Sequence, residues 1–236
     1  MHEVSVGLEA LGAWRRLEGV SASDRPMRYS PIVPEKAALI VIDMQNAFCL
    51  PGHRTYLPEA ISLIPNINRL ARAMREAGGK VVWVQQTYRN DDPRFAVPAW
   101  RSQLFPRFQE LQETLLDRDT PGYALHAELD SRPEDLRIEK TRWGALMPNS
   151  SELHETLQAA SIDTVIVAGV ASDACVETTV REAVMLDYKT VFVTDATATD
   201  SEETHNAAIL TLNHIFLVDL AETQLILQQL RRPDAA

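Results

Sequence analysis

The amino-acid sequence predicts an α/β fold: a single-domain three-layer sandwich in which a six-stranded, mostly parallel sheet carries helices on both faces. Three observations predict it. Short continuous apolar runs such as Ala37-Ala-Leu-Ile-Val-Ile42 and Thr164-Val-Ile-Val-Ala168 have the composition of strands buried on both faces. Such runs alternate with segments that read as helices, the pattern of repeated βαβ units. The chain has 236 residues, 45% hydrophobic and 24% charged, which suits one large domain with a sizeable core.

The elements follow in order. Residues 1–34 read as an amino-terminal extension, and 35–236 as the domain proper. Within the extension Leu8, Leu11, Trp14 and Leu17 recur at helical spacing, as in a helix packed on the domain or on a neighbouring subunit. Ser21 to Pro34 reads as a polar, Pro-bearing connector. After the strand Ala37 to Ile42 comes a helix from Ile64 to Ala77, with Pro65 in its first turn and Gly78-Gly79 ending it. Lys80 to Gln85 is the second strand. Residues 90–133 form a long irregular region with scattered prolines and aromatics, of which Phe105 to Leu116 reads as helical; a lid or an interface segment is the usual meaning of such a length. Leu136 to Glu139 is the third strand, and Ser150 to Ala160 a helix with Ser150 or Ser151 as its cap. The strands Thr164 to Ala168, Thr190 to Thr194 and Ile215 to Val218 then alternate with helices Cys175 to Leu186, Ser201 to Leu212 and Ala221 to Leu230.

Composition removes several functional classes. The formal net charge is −10 and there is no basic run, which argues against a nucleic-acid partner. No apolar stretch reaches the length of a membrane-spanning helix. Glu3, Glu9 and Glu18 interrupt the amino terminus, which therefore lacks the basic start and apolar middle of a secretion signal; the cytoplasm is the expected compartment. Two cysteines, Cys49 and Cys175, are too few for a disulfide scaffold and are expected as free thiols.

In parallel sheets, ligands bind at the carboxyl ends of the strands. Asp43 directly follows the first strand, Lys140 the third, and Cys175 comes shortly after the fourth. Each alone has an ordinary reading, as a turn residue, a solvated charge and a small buried side chain respectively. Together they make a coherent nucleophilic site. A thiol with a reference pKa of about 8.5 is only slightly ionised at neutral pH. A lysine ammonium and a helix amino terminus would favour its thiolate. Asp43 could take the thiol proton and return it to a leaving amine. Asp43 and Lys140 would also neutralise one another in a closed pocket. The turn Gly169-Val-Ala-Ser-Asp-Ala-Cys175 leaves backbone N–H groups, those of Cys175 and one other turn residue, as candidate oxyanion donors.

Three blocks, Val41-Ile-Asp-Met-Gln-Asn46, Lys140-Thr-Arg-Trp-Gly-Ala145 and Gly169-Val-Ala-Ser-Asp-Ala-Cys-Val-Glu-Thr-Thr179, with Thr194-Asp-Ala196 after the fifth strand, make the sequence resemble the isochorismatase-like cysteine hydrolase superfamily from about Glu35 onward. The resemblance implies a six-stranded parallel sheet and a triad of Cys175 as nucleophile, Asp43 as general base and acid, and Lys140 as charge partner. It also implies a non-proline cis peptide at Val170–Ala171, which would make Ala171 and Cys175 the oxyanion donors, and a homo-oligomer, dimer or tetramer.

Subfamilies are separated by residues. Isochorismatases proper, which hydrolyse a vinyl ether, lack the cysteine, so Cys175 favours C–N cleavage. Nicotinamidases carry an Asp-x-His metal pair after the second strand, where this chain reads Thr87-Tyr-Arg-Asn-Asp91, so neither a metal nor another cofactor is expected. Lys140-x-Arg142 resembles the ureido and carbamoyl amidohydrolases, implying a small linear amide or ureido substrate. Arg142 could grip a substrate carboxylate or serve only in an ion pair. Gln45, Asn46, Tyr88 and Trp143 flank strand ends and are candidates to line the pocket, with packing or turn hydrogen bonding as the alternative. Two other functions fit the same residues: a vinyl ether hydrolase using Asp43 as acid, and a non-catalytic binding module on the same fold.

Overall fold

The structure is a computed structural model that describes residues 27–87, 93, 116–118, 120–214, 216 and 218–231. Six strands, β1 (Ala37–Ile42), β2 (Lys80–Gln86), β3 (Leu136–Lys140), β4 (Thr164–Val170), β5 (Lys189–Ala198) and β6 (Asp219–Ala221), form one sheet in the order β3-β2-β1-β4-β5-β6. Every adjacent pair is parallel. The helices among the described residues are α1 (Asn46–Cys49), α2 (Ala60–Ala77), α3 (Leu153–Ala159), α4 (Glu177–Met185), α5 (Glu202–His214) and α6 (Thr223–Leu230).

Side chains of β1 alternate between two cores, as a strand's period of two requires. Leu39 and Val41 join Ile64, Ile67 and Met74 of α2 and Ile226 of α6 on one face. Ala38, Ile40 and Ile42 join Leu157 of α3, Val180 of α4 and Ile209 of α5 on the other. All six β1 residues are buried, which explains why the run is apolar throughout instead of alternating.

The chain builds β1, β2 and β3 outward in one direction and then returns to place β4 on the free side of β1. Loops leaving β1 and β4 therefore diverge to opposite sides, opening a crevice at their carboxyl ends. Gly169 is what allows the two strands to approach there. It pairs with Ile42, has φ +108°, and a Cβ on it would run into the Ile42 backbone. Gly169→Ala is expected to lower unfolding free energy by at least about 2 kcal/mol, from the forbidden φ and the clash together, as read by urea denaturation.

Several elements differ from their expected bounds. The second helix begins at Ala60, so Pro65 lies inside it and not in its first turn. α3 begins at Leu153, with Ser151 Oγ accepting the Leu153 amide at 3.0 Å. β5 runs four residues past Thr194, to Ala198. Its polar Asp195 is stabilised in place by Thr223 N–H and O–H, at 2.7 and 2.8 Å, and by Asn66 Nδ2 at 3.0 Å. β6 lies at Asp219–Ala221, beyond the expected 215–218. The expected connector is not simply polar: Met27 and Ile32 are buried in the first core, and Tyr29 N–H donates to Asp219 at 2.9 Å. The amino-terminal helical stripe and the stretch 105–115 lie outside the described residues. Among the described residues no helix is long and apolar enough to cross a membrane.

Candidate active site

The crevice gathers the ends of β1, β2, β3, β4 and β5. Asp43, one residue past β1, donates its N–H to Val84 O at 2.9 Å, then turns the chain out of the sheet with φ 53°, a left-handed conformation that Asp tolerates better than most residues. Lys140 ends β3, two strands away, a distance of about 10 Å at ordinary strand spacing. A long stem is therefore needed, and Lys140 is fully buried along it. Its Nζ lies 2.8 Å from Asp43 Oδ2. On the way it donates to Gln86 Oε1, at the end of the intervening β2, at 2.6 Å, and to the Arg142 carbonyl at 3.1 Å.

Cys175 arrives from β4. The Val170–Ala171 peptide is cis, and Ser172–Val176 follow as a single wide π turn closed by Val176 N–H on Ala171 O at 3.1 Å. Helix α4 begins only at Glu177, so the cysteine lies in the π turn and not at the start of an α-helix. Single π turns recur at functional sites. Two side chains fix this turn from α5 and from the end of β5. Ser172 Oγ and His205 Nδ1 lie 2.7 Å apart, both fully buried. Thr199 donates to Asp173 Oδ1 at 2.7 Å.

Charge in the cluster is governed by burial. Burial raises the pKa of the Asp43 carboxyl, partly opposed by Lys140 and by hydrogen bonds from Lys140 and Cys175. Burial lowers that of Lys140, but Asp43 and Cys175 more than reverse it, so the ammonium is held. Burial pushes the Cys175 thiol up to about 12; Lys140 pulls it down and Asp43 pushes it further up. Lys140 favours the thiolate, as expected, whereas no α-helix terminus stands at Cys175. Desolvation outweighs the ammonium, and the thiol keeps its proton beside a carboxylate able to take it. Cys49, wholly buried in the first core, is likewise pushed up to about 12 by burial.

A cavity of about 260 Å³ opens on Cys175, Ala171 and Ala174. Trp143, Gln86, Phe48, Arg54, Tyr56 and Asp173 are among the other residues that line it. Of the residues expected to contact substrate, Trp143 is in this wall. Gln45, Asn46 and Arg142 are not. Gln45 is buried and spends its amide on Gln86 N–H and on the Gln86 and Tyr123 carbonyls, at 2.7, 3.1 and 2.9 Å. Asn46 donates to Pro121 O at 2.8 Å. The Arg142 guanidinium folds back on Thr141, 3.1 Å from its carbonyl and 3.0 Å from its hydroxyl. Tyr88 lies outside the described residues. Gln86 was open to the strand-end rule and was missed; the wall between α1 and α2 comes from a loop with no sequence pattern to mark it. Among the described residues no three His, Cys, Asp or Glu side chains are grouped as a metal site needs.

A parallel α/β sandwich with a small pocket over a buried Asp–Lys pair and a half-buried cysteine has the parts of a small-molecule enzyme site. The chain belongs to the isochorismatase domain family, which matches residues 37–224. Over 199 residues it is 31% identical to the ureidoacrylate amidohydrolase RutB of Caulobacter segnis, covering 79% of this chain and 82% of that protein. Over 182 residues it is 34% identical to an Arabidopsis thaliana protein described as a probable inactive nicotinamidase, covering 75% of this chain and 88% of that one. Its fold matches that of a cysteine hydrolase from Pseudomonas syringae pv. phaseolicola 1448A with a TM-score of 0.77 at 24% identity, over 88% of this chain and 98% of the other. The family and these relatives place the protein among hydrolases of carbon–nitrogen bonds other than peptide bonds.

Proposed function

We propose that the protein is a cysteine-dependent amidohydrolase that cleaves a small ureido or carbamoyl compound through a thioester on Cys175, releasing ammonia or an amine. The observation that carries this reading is Cys175 in the wall of the cavity, electrostatically coupled to an Asp43–Lys140 pair closed at 2.8 Å. Asp43 takes the thiol proton as sulfur attacks the substrate carbonyl carbon. Lys140 holds the sulfur's developing negative charge. The carbonyl oxygen, now an oxyanion, is received by the Ala171 and Cys175 N–H groups. Collapse of the tetrahedral adduct breaks the C–N bond, and protonated Asp43 gives its proton to the leaving nitrogen. Water then attacks the thioester, losing a proton to Asp43, which returns it to the departing sulfur.

A high thiol pKa suits this sequence, because proton transfer and attack occur together at Asp43 and no exposed thiolate stands idle. The cavity's size, about 260 Å³, matches a substrate of roughly ten heavy atoms, below the usual range for drug-sized ligands. RutB, by its name, acts on such a molecule, ureidoacrylate.

The test is ammonia release across a panel of ureido acids, carbamoyl amino acids, biuret and simple amides. Release from at least one, absent in Cys175→Ala, supports the reading; equal release by both proteins ends it. A vinyl ether hydrolase using Asp43 as acid would instead leave Cys175→Ala nearly unaffected and lose activity in Asp43→Ala. The wall residues give a further expectation. Trp143→Ala should raise KM about tenfold through lost contact area, whereas Arg142→Ala should stay within about twofold, as steady-state kinetics on the best substrate would show.

A further inference from the structure

Glu182 is a buried acid that no step above uses. It lies on α4, and its carboxylate accepts the Leu146 N–H at 2.8 Å and a further bond from the Met147 backbone. Three residues earlier, on the same face of the helix, Thr179 is fully buried. Its hydroxyl donates to the Cys175 carbonyl at 2.7 Å and accepts the Ala145 N–H at 3.2 Å. A Cβ on Gly144 would run into the Glu182 carboxylate, which would then have to shift from the loop amide it accepts. Within the loop, Ser150 Oγ donates to Gly144 O and Ser151 Oγ to Ala145 O.

Both ends of this arrangement reach the reaction centre. The same loop carries the Arg142 carbonyl, one of the acceptors of the Lys140 ammonium, and Trp143, part of the cavity wall. The α4 end is joined to the nucleophile, because α4 begins two residues after Cys175. Lys140 and Cys175 otherwise come from strands separated by β2 and β1. A buried acid is costly unless its acceptors are matched with donors, and here it is matched with the backbone N–H groups of a loop that has no regular ladder to satisfy them.

We propose that Thr179 and Glu182 are positioning residues, which fasten the segment 144–147 to α4 and thereby set Lys140 and the Trp143 wall in register with Cys175. The proposal rests on the amidohydrolase reading for the roles of Cys175 and Lys140. Its test needs no substrate. The second-order rate constant for iodoacetamide modification of Cys175, followed by peptide mass, reports how well the cluster delivers the sulfur. Thr179→Val, nearly the same shape without the hydroxyl, should lower that constant about tenfold, since small misplacements of reacting groups carry large rate penalties. Thr179→Ser, which restores the hydroxyl, should recover it to within about twofold, even where its melting temperature is no higher than that of the valine variant.

A valine variant that reacts at the unsubstituted rate overturns the proposal, as does a serine variant as slow as valine. Should Thr179→Val not fold, Glu182→Leu against Glu182→Gln makes the same comparison, with the glutamine variant expected to be the faster. Failure of the amidohydrolase reading shows itself separately, as no ammonia from the unsubstituted protein on any amide while the alkylation comparison stands.

Discussion

Cys175→Ala is expected to reduce hydrolysis by at least about a thousandfold in kcat, because removing a triad nucleophile commonly costs several orders of magnitude. Its melting temperature should stay close to that of the unsubstituted protein. The thiol is neutral, held protonated by burial with its pKa pushed up to about 12, so its removal strands no charge. It also lies in the cavity wall, so the lost sulfur leaves space already continuous with the pocket. An activity loss without a stability loss is the signature of a group that reacts. Ammonia release and a thermal melt on one preparation give both readings.

Lys140→Met is expected to fail differently, losing both activity and stability. Asp43 and Lys140 are 1% and 0% exposed at the side chain and 2.8 Å apart. Removing one partner leaves an uncompensated buried charge, a change that costs about 3–5 kcal/mol in comparable pairs. The pH dependence follows from the remaining group. Burial already raises the Asp43 pKa, and without the ammonium it rises further. A carboxyl whose folded pKa exceeds its unfolded value binds protons preferentially in the native state. The variant's deficit should therefore be largest above that raised pKa and shrink as pH falls through it. Adding Asp43→Asn should restore most of the stability and none of the activity, since a neutral pair removes the stranded charge but supplies no base. Urea unfolding at several pH values separates these outcomes.

What was legible in the sequence was legible for physical reasons. β1 and β4 are central, buried on both faces, and so had to be written as unbroken apolar runs. Strand-end chemistry followed from the rule that parallel strands present their carboxyl ends on one edge, which picked out Asp43, Lys140 and Cys175. Elements with mixed polarity were read short. β5 extends beyond the expected Thr194 through a polar Asp195, which Thr223 and Asn66 satisfy inside the fold. Substrate-wall residues were the least legible. Gln45 and Asn46 sit in the right block but face the 121–124 segment, and nothing in the sequence distinguishes an amide used by backbone from one offered to a ligand. Arg54 and Tyr56 come from a loop between α1 and α2, where no periodicity records which side chains turn inward, and Phe48 from the single turn of α1. Nothing in the sequence singles out Glu182, because its partners are backbone amides that leave no trace in side-chain pattern.

The thiol's raised pKa also sharpens the role of Asp43. A preformed thiolate would need only Lys140, whereas a protonated thiol needs a base within reach, and Asp43 is the carboxyl coupled to it. The buried pair therefore serves two purposes: the ammonium lowers a carboxyl pKa that burial raises, and the pair places that carboxyl beside the sulfur.

The covalent intermediate is the most direct point of test. Turnover of an active ureido or carbamoyl substrate, quenched in acid within the first catalytic cycle and mapped by peptide mass, should show the Cys175 peptide heavier by the mass of the substrate less ammonia or amine. Ammonia or amine released in that first cycle with the Cys175 peptide unmodified, or with the added mass on Asp43, would contradict nucleophilic catalysis by this cysteine.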